Sequence, residues 1–161
     1  MRNTSVLFVC LGNICRSPTA HGVFETMVVE QGLAEKITVD SCGTGDWHIG
    51  HAPDQRASAE ASQRGYDLSY LRARQVTLAD FDHFDFILAM DKQNLANLQA
   101  MSPSHFSGRL ALFLSFAEGD VPLEVPDPYY GGDDGFTAVL NLVESASAGL
   151  LKEIGGDVAG G

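Results

Sequence analysis

The run Ser5-Val-Leu-Phe-Val9 carries no polar alternation and stops abruptly before Gly12 and Asn13. A strand apolar on both faces cannot line the wet side of a sheet; it belongs inside a parallel sheet covered by helices on both sides. The next residues agree with that placement. Ser17 is placed to cap a helix, Pro18 suits its first position, and Ala20, Val23, Phe24, Met27 and Val28 recur at helical spacing until Gly32 ends the pattern. Strand, tight loop and helix make the opening unit of an α/β fold.

The alternation continues. Ile37 to Ser41 reads as a second strand, Pro53-Asp54 opens a helix to about Arg64, and Gly65 closes it. Phe86 to Met90 is the clearest buried strand; Asp91 caps a helix through Leu95 and Leu98 to about Met101, and Leu110 to Leu114 supplies a fourth strand. A last helix begins near Asp133 or Asp134 and buries Phe136, Val139, Leu140, Val143, Leu150 and Ile154. The reading is a single α/β domain over residues 1–161, with a glycine-rich tail from about 155 that frays. Active sites in such sheets lie beyond the carboxyl ends of the strands, which is where Cys10 falls.

Composition narrows the function. A formal charge of −11 over 161 residues repels polyanions, which argues against nucleic acid and anionic membrane partners, so any anion site must be local. The apolar run at the N-terminus is too short for a signal-peptide core, and nothing later approaches a membrane span. Three cysteines, Cys10, Cys15 and Cys42, are an odd number in a chain large enough to need no staples. A soluble protein of the reducing cytoplasm is expected.

Between Cys10 and Arg16 stand Leu11, Gly12, Asn13, Ile14 and Cys15. Gly12 and Asn13 are the residue types that most readily take positive φ, so the chain can curl until successive N–H groups face inward above a helix N-terminus, forming an anion nest. Arg16 adds a planar fork for two phosphate oxygens. A cysteine in that field is favoured as the thiolate nucleophile, and the Ser17 hydroxyl is placed to donate to it. The leaving group needs an acid; Asp127, between Pro126 and Pro128 and followed by Tyr129 and Tyr130, sits in a stiff turn that could aim a carboxyl.

Other clusters read as structure. Cys42 is core filler, and three cysteines with His48 or His51 match no paired zinc-ligand spacing. His48, His51, His83 and His105 are surface residues, His21 lies on the first helix away from its apolar stripe, and the acidic stretch Asp80 to Asp85 is a solvated approach to the third strand.

Taken together, "VCLGNICRS" near the N-terminus and the distant "DPYYG" resemble the low-molecular-weight protein tyrosine phosphatases, from about Val6 to the last helix. The resemblance implies a four-stranded parallel sheet with helices on both faces, a phosphate loop after the first strand, no metal and no cofactor. It makes Cys10 the nucleophile of a phosphocysteine intermediate, Arg16 and the amides of Leu11 through Ser17 the phosphate cradle, and Asp127 the general acid and base. Trp47, Tyr129 and Tyr130 would line the substrate mouth, and Ser41 would help hold Asn13. Cys15 would form a reversible disulfide with Cys10 under oxidant. Leu71 departs from the pattern, standing where several members carry a histidine that supports the loop asparagine, which leaves Asn13 to Ser41 and backbone. The implied partners are a tyrosine-phosphorylated protein, such as a bacterial-type tyrosine kinase or a polysaccharide-synthesis component, and inorganic phosphate or another oxyanion, with the chain a monomer or weakly self-associating. An arsenate reductase on the same fold would need relay cysteines downstream, where the chain has none after Cys42. A non-catalytic phosphate-binding or redox-sensing module would not need the full set of Cys10, Arg16 and Asp127.

Overall fold

The computed structural model describes residues 3–119, 121–126, 128 and 133–160, with side chains for all of these except 133, 134 and 155–160. Four strands, β1 (Thr4–Cys10), β2 (Ile37–Gly43), β3 (Phe86–Ala89) and β4 (Arg109–Leu112), form one parallel sheet in the order β2-β1-β3-β4. Around it lie α1 (Arg16–Glu30), α2 (Gln55–Gln63), the short α3 (Asp80–His83), α4 (Lys92–Met101) and α5 (Asp133–Gly160). The four-stranded parallel α/β architecture is the expected one.

The centre of the sheet explains why β1 lacks polar alternation. Val6, Phe8 and Cys10 pack into a core with Val23 and Phe24 of α1 and Val139, Leu140 and Val143 of α5. Leu7 and Val9 point the other way, into a core with Phe81 of α3 and Leu98 of α4. Both faces of the strand are dry, as side chains alternating across a doubly covered sheet require. Phe8 meets Phe24 and Phe113 edge-on, with centroids 5.7 and 4.9 Å away; losing such a buried ring would cost about 3–5 kcal/mol.

Local signals set most boundaries. Asp54 caps α2 by accepting from the N–H groups of Arg56 and Ala57, Asp91 caps α4 by accepting from Asn94, and Gly32 and Gly65 take positive φ just past α1 and α2.

Other expectations need correction. Ser17 does not cap α1: the cap position is Cys15, without a side-chain bond, because the Ser17 hydroxyl is used inside the loop. β4 ends at Leu112, and Phe113–Phe116 form a 3-10 turn that drops Phe113 under the sheet. Asp80 belongs to α3 and is buried, because it is an ion-pair acceptor rather than part of a solvated loop. Among the described residues no helix is long and apolar enough to cross a membrane.

Candidate active site

The parallel register brings the carboxyl ends of β1, β2 and β3 to one edge, with Cys10 opposite Gly43 and Val9 opposite both Cys42 and Ala89. The chain turns there from β1 into α1. Asn13 makes the turn with φ 58°, the one non-glycine residue at positive φ among those described. Gly12, expected to share that conformation, is not at positive φ; the lack of a side chain matters because a Cβ there would come within 3.0 Å of the His48 ring.

Cys10 is 2% exposed, and its sulfur is held by two groups. The Asn13 N–H donates to Sγ at 3.2 Å, and Ser17 Oγ lies 3.0 Å away. Ser17 Oγ also accepts from Asn13 Nδ2 at 2.8 Å and lies 3.3 Å from the Cys42 carbonyl. A hydroxyl has one proton. With the asparagine filling an acceptor position, that proton goes either to Cys10 or to the Cys42 carbonyl, and the shorter distance favours sulfur.

Asn13 is fixed in turn by the Arg74 N–H, which donates to Oδ1 at 3.0 Å. The Arg74 guanidinium is gripped by Asp40 of β2 and Asp80 of α3 at 3.0–3.1 Å. Burial disfavours its charge, but the hydrogen bonds to Asp80 and the carboxylates of Asp40 and Asp80 more than offset that and hold it firmly protonated. Ser41, expected to hold Asn13, makes its side-chain contact with His21 instead: its Oγ lies 3.0 Å from Nδ1 of that ring. His21 is accordingly buried, contrary to its assignment outside the apolar stripe, because the first two turns of α1 are enclosed on all sides.

Arg16 is 3% exposed. Its Nη1 donates to Asp91 Oδ2 at 2.7 Å and to the Val125 carbonyl at 3.1 Å. The residue that caps α4 at the end of β3 thus also clasps the loop arginine. Val125 is further tied by its N–H to the Met90 carbonyl, so the segment leading to Asp127 is anchored at Val125, two positions before it. Asp127, Tyr129 and Tyr130 themselves lie outside the described residues.

Ile14 and Cys15 turn from the loop into a small apolar cluster with Ala57 of α2 and Phe136 of α5. Leu11 and Trp47 are left at the surface, 41% and 65% exposed. Trp47 lies over Gly45, where a Cβ would touch its ring, and the Gly45 N–H donates to the Leu11 carbonyl at 2.9 Å. An aromatic ring therefore stands beside the loop. Cys42 is fully buried, and desolvation pushes its thiol well up, so it stays protonated and inert. Leu71 fills an apolar cluster with Ala61 and Leu68.

Comparison with known proteins decides what this loop belongs to. The family model described as low molecular weight phosphotyrosine protein phosphatase matches residues 5–159. The chain belongs to that family. This phosphatase is 44% identical over 154 residues to the low molecular weight phosphotyrosine protein phosphatase of Schizosaccharomyces pombe, covering 95% of this chain and 98% of that one. It is similar to a protein tyrosine phosphatase structure from Entamoeba histolytica, with a TM-score of 0.91 at 38% identity, covering 94% and 97% of the two chains. The structure of YfkJ from Bacillus subtilis gives the same TM-score and identity, covering 98% of each. A phosphatase acting on phosphotyrosine proteins is the function, and arsenate reduction is not favoured.

Several supports of the site escaped the sequence reading. Asp91 was legible as a cap but not as the partner of Arg16, since nothing local says that the end of β3 lies beside the loop. Arg74, Asp80 and His21 carry no motif. Gly43 had a signal in Cys42-Gly43-Thr44-Gly45, small residues at a strand end: a Cβ on Gly43 would meet the Leu11 carbonyl at 2.7 Å.

Proposed function

We propose that Cys10, Arg16 and Asp127 share the reaction between them. The Cys10 thiolate attacks phosphorus of an aryl phosphate; the S–P bond forms as the P–O bond to the aryl group breaks, and Asp127 gives its proton to the departing phenolate. Water then attacks phosphorus, Asp127 takes its proton, the S–P bond breaks, and inorganic phosphate leaves with the thiolate restored. Arg16 and the loop amides hold the equatorial oxygens, where charge must be stabilised throughout. The observation that carries this reading is the sulfur of Cys10 at the end of β1, met by the Asn13 N–H and Ser17 Oγ, with Arg16 pinned in the same loop.

Trp47, Tyr129 and Tyr130 are assigned to the walls that receive the substrate ring. Peptide-borne phosphotyrosine on a bacterial-type tyrosine kinase fits such a mouth, as does a monomer or weak self-association in a reducing cytoplasm that keeps Cys10 and Cys15 as thiols.

The test is hydrolysis of p-nitrophenyl phosphate with EDTA present. Cys10→Ser is expected to lower kcat by at least about a thousandfold while phosphate binding remains measurable. Asp127→Ala is expected to cost about a hundredfold or more, most for leaving groups of high pKa. Equal slowing across a series of aryl phosphates would take the acid role away from Asp127, and turnover by Cys10→Ser would overturn the mechanism.

A further inference from the structure

We infer that His21 is a positioning residue for the phosphate loop, acting through Ser41 to decide where the Ser17 proton goes. The inference deepens the mechanism proposed above and rests on Cys10 being the reactive thiol.

Ser17 and His21 stand one turn apart on the same face of α1. Ser41 and Cys42 are consecutive in β2. The two pairs meet as two rungs between helix and strand: Ser17 Oγ at 3.3 Å from the Cys42 carbonyl, and His21 Nδ1 at 3.0 Å from Ser41 Oγ. The first rung competes with catalysis, because a Ser17 proton given to the Cys42 carbonyl is not given to Cys10. The second rung tethers β2 to α1 at the residue just before this carbonyl, and so restrains how closely the carbonyl can approach Ser17.

His21 is itself built in. Its Nε2 lies 3.5 Å from Glu25 Oε2, its ring meets Tyr70 edge-on at 6.3 Å, and the Tyr70 hydroxyl donates to Glu25 Oε1. An Nε2–H facing that carboxylate leaves Nδ1 as the acceptor of the Ser41 hydroxyl proton. The Ser41 N–H is meanwhile held by Asp40 Oδ1 at 2.8 Å, and Asp40 Oδ2 binds Arg74, whose N–H holds Asn13. Ser41 is therefore the junction at which supports of the loop from both faces of β2 meet. Leu71, in its apolar cluster, brings no polar group to this network.

The experiment compares Ser41→Ala, His21→Gln, His21→Asn and the Ser41→Ala/His21→Gln double variant. An asparagine amide reaches the place of Nδ1 and keeps the Ser41 contact; a glutamine amide reaches the place of Nε2 and keeps only Glu25. Two readouts are taken: the kcat and KM for p-nitrophenyl phosphate, and the rate of Cys10 alkylation by iodoacetamide at neutral pH, followed by peptide mass. The second needs no turnover, so it tests the positioning even if the assigned mechanism fails. Ser41→Ala and His21→Gln are each expected to slow alkylation and lower kcat by about three- to tenfold, the worth of one hydrogen bond, with KM little changed. The double variant should match either single, and His21→Asn should stay within about twofold of the parent. A lowered melting temperature with parental kcat and alkylation would overturn the inference and leave His21 a packing residue. So would His21→Asn as damaged as His21→Gln, or additive losses in the double variant. If His21→Gln does not fold, Ser41→Ala decides alone, since it removes only a hydroxyl: parental kcat and alkylation would overturn the inference.

Discussion

The two flanks of the phosphate loop are built on different physics. On the β2 side the groups that meet the loop do so through shape and uncharged hydrogen bonds, namely Gly43 packed against the loop backbone, Thr44 and Gly45 donating to the Cys10 and Leu11 carbonyls at 2.9 Å, and the Arg74 N–H on Asn13; the Arg74–Asp40–Asp80 ion pairs and the His21–Ser41 contact stand one step behind them. On the β3 side the support is charge, Asp91 on Arg16 at 2.7 Å with both groups largely out of water. The first flank sets the curve of the loop and the environment of sulfur. The second aims Arg16, the cation that the proposed mechanism sets on the phosphate. A phosphatase needs both, since a well-placed thiolate without an aimed guanidinium leaves the equatorial oxygens unmatched.

The comparison is broken most severely at Gly43. An alanine there would place a methyl 2.7 Å from the Leu11 carbonyl and 3.1 Å from the Asn13 nitrogen. Backbone, unlike a flexible side chain, yields only by moving the loop. We expect kcat to fall about a hundredfold or more and stability by about 1–3 kcal/mol, measured by turnover and denaturant unfolding. Parental turnover would show that the loop curve is set elsewhere.

Asp91→Asn probes the other flank while sparing the helix cap, since asparagine also caps. The Val125 carbonyl still accepts from Arg16 once the charge is removed. Affinity for phosphate and kcat/KM should each drop by about tenfold, with about 1–3 kcal/mol of stability. Cys10 alkylation, governed by the β2 flank, should change far less; equal losses in both would erase the distinction.

The smallest effect is one of pH. The hydrogen bond from His21, with that of Tyr70 and against the pull of burial, holds the Glu25 carboxyl below its ordinary 4.5. A carboxylate with a lowered folded value adds stability that is present above the unfolded value and lost as pH falls through the folded one. The parent should therefore lose stability more steeply below about pH 4.5 than Glu25→Gln does, by well under 1 kcal/mol for a group this exposed, as read from denaturant unfolding across pH. Parallel acid limbs would remove Glu25 from the network.

Much of the fold and the loop was legible in the chain, and what was not has a common cause. The dry β1 run, the caps at Asp54 and Asp91, and the Cys10-to-Arg16 loop are short-range patterns, and short-range patterns survive into the fold. Ser41 was assigned to Asn13 rather than His21 because the residue of α1 that comes to lie over it is set by how helix and strand pack, which no local pattern records. Asp80 looked solvated in a stretch of acids until Arg74 arrived from outside it. His21 looked polar and free because nothing in α1 says that its first turns are enclosed by β2 and the segment around Tyr70.

The bonds in the site also differ in how far along the chain their partners lie. Cys10 finds Asn13 and Ser17 at separations of 3 and 7 residues, whereas Arg16 reaches Asp91 and Val125 across 75 and 109. The entropy of closing a chain grows with the logarithm of the loop, so the longest of these contacts costs about 2 kcal/mol more to close than the Cys10–Ser17 contact. The site is thus assembled from the sulfur outward: its reactive atom is set by neighbours that never travel far, and its charge balance is the part that waits for the whole chain.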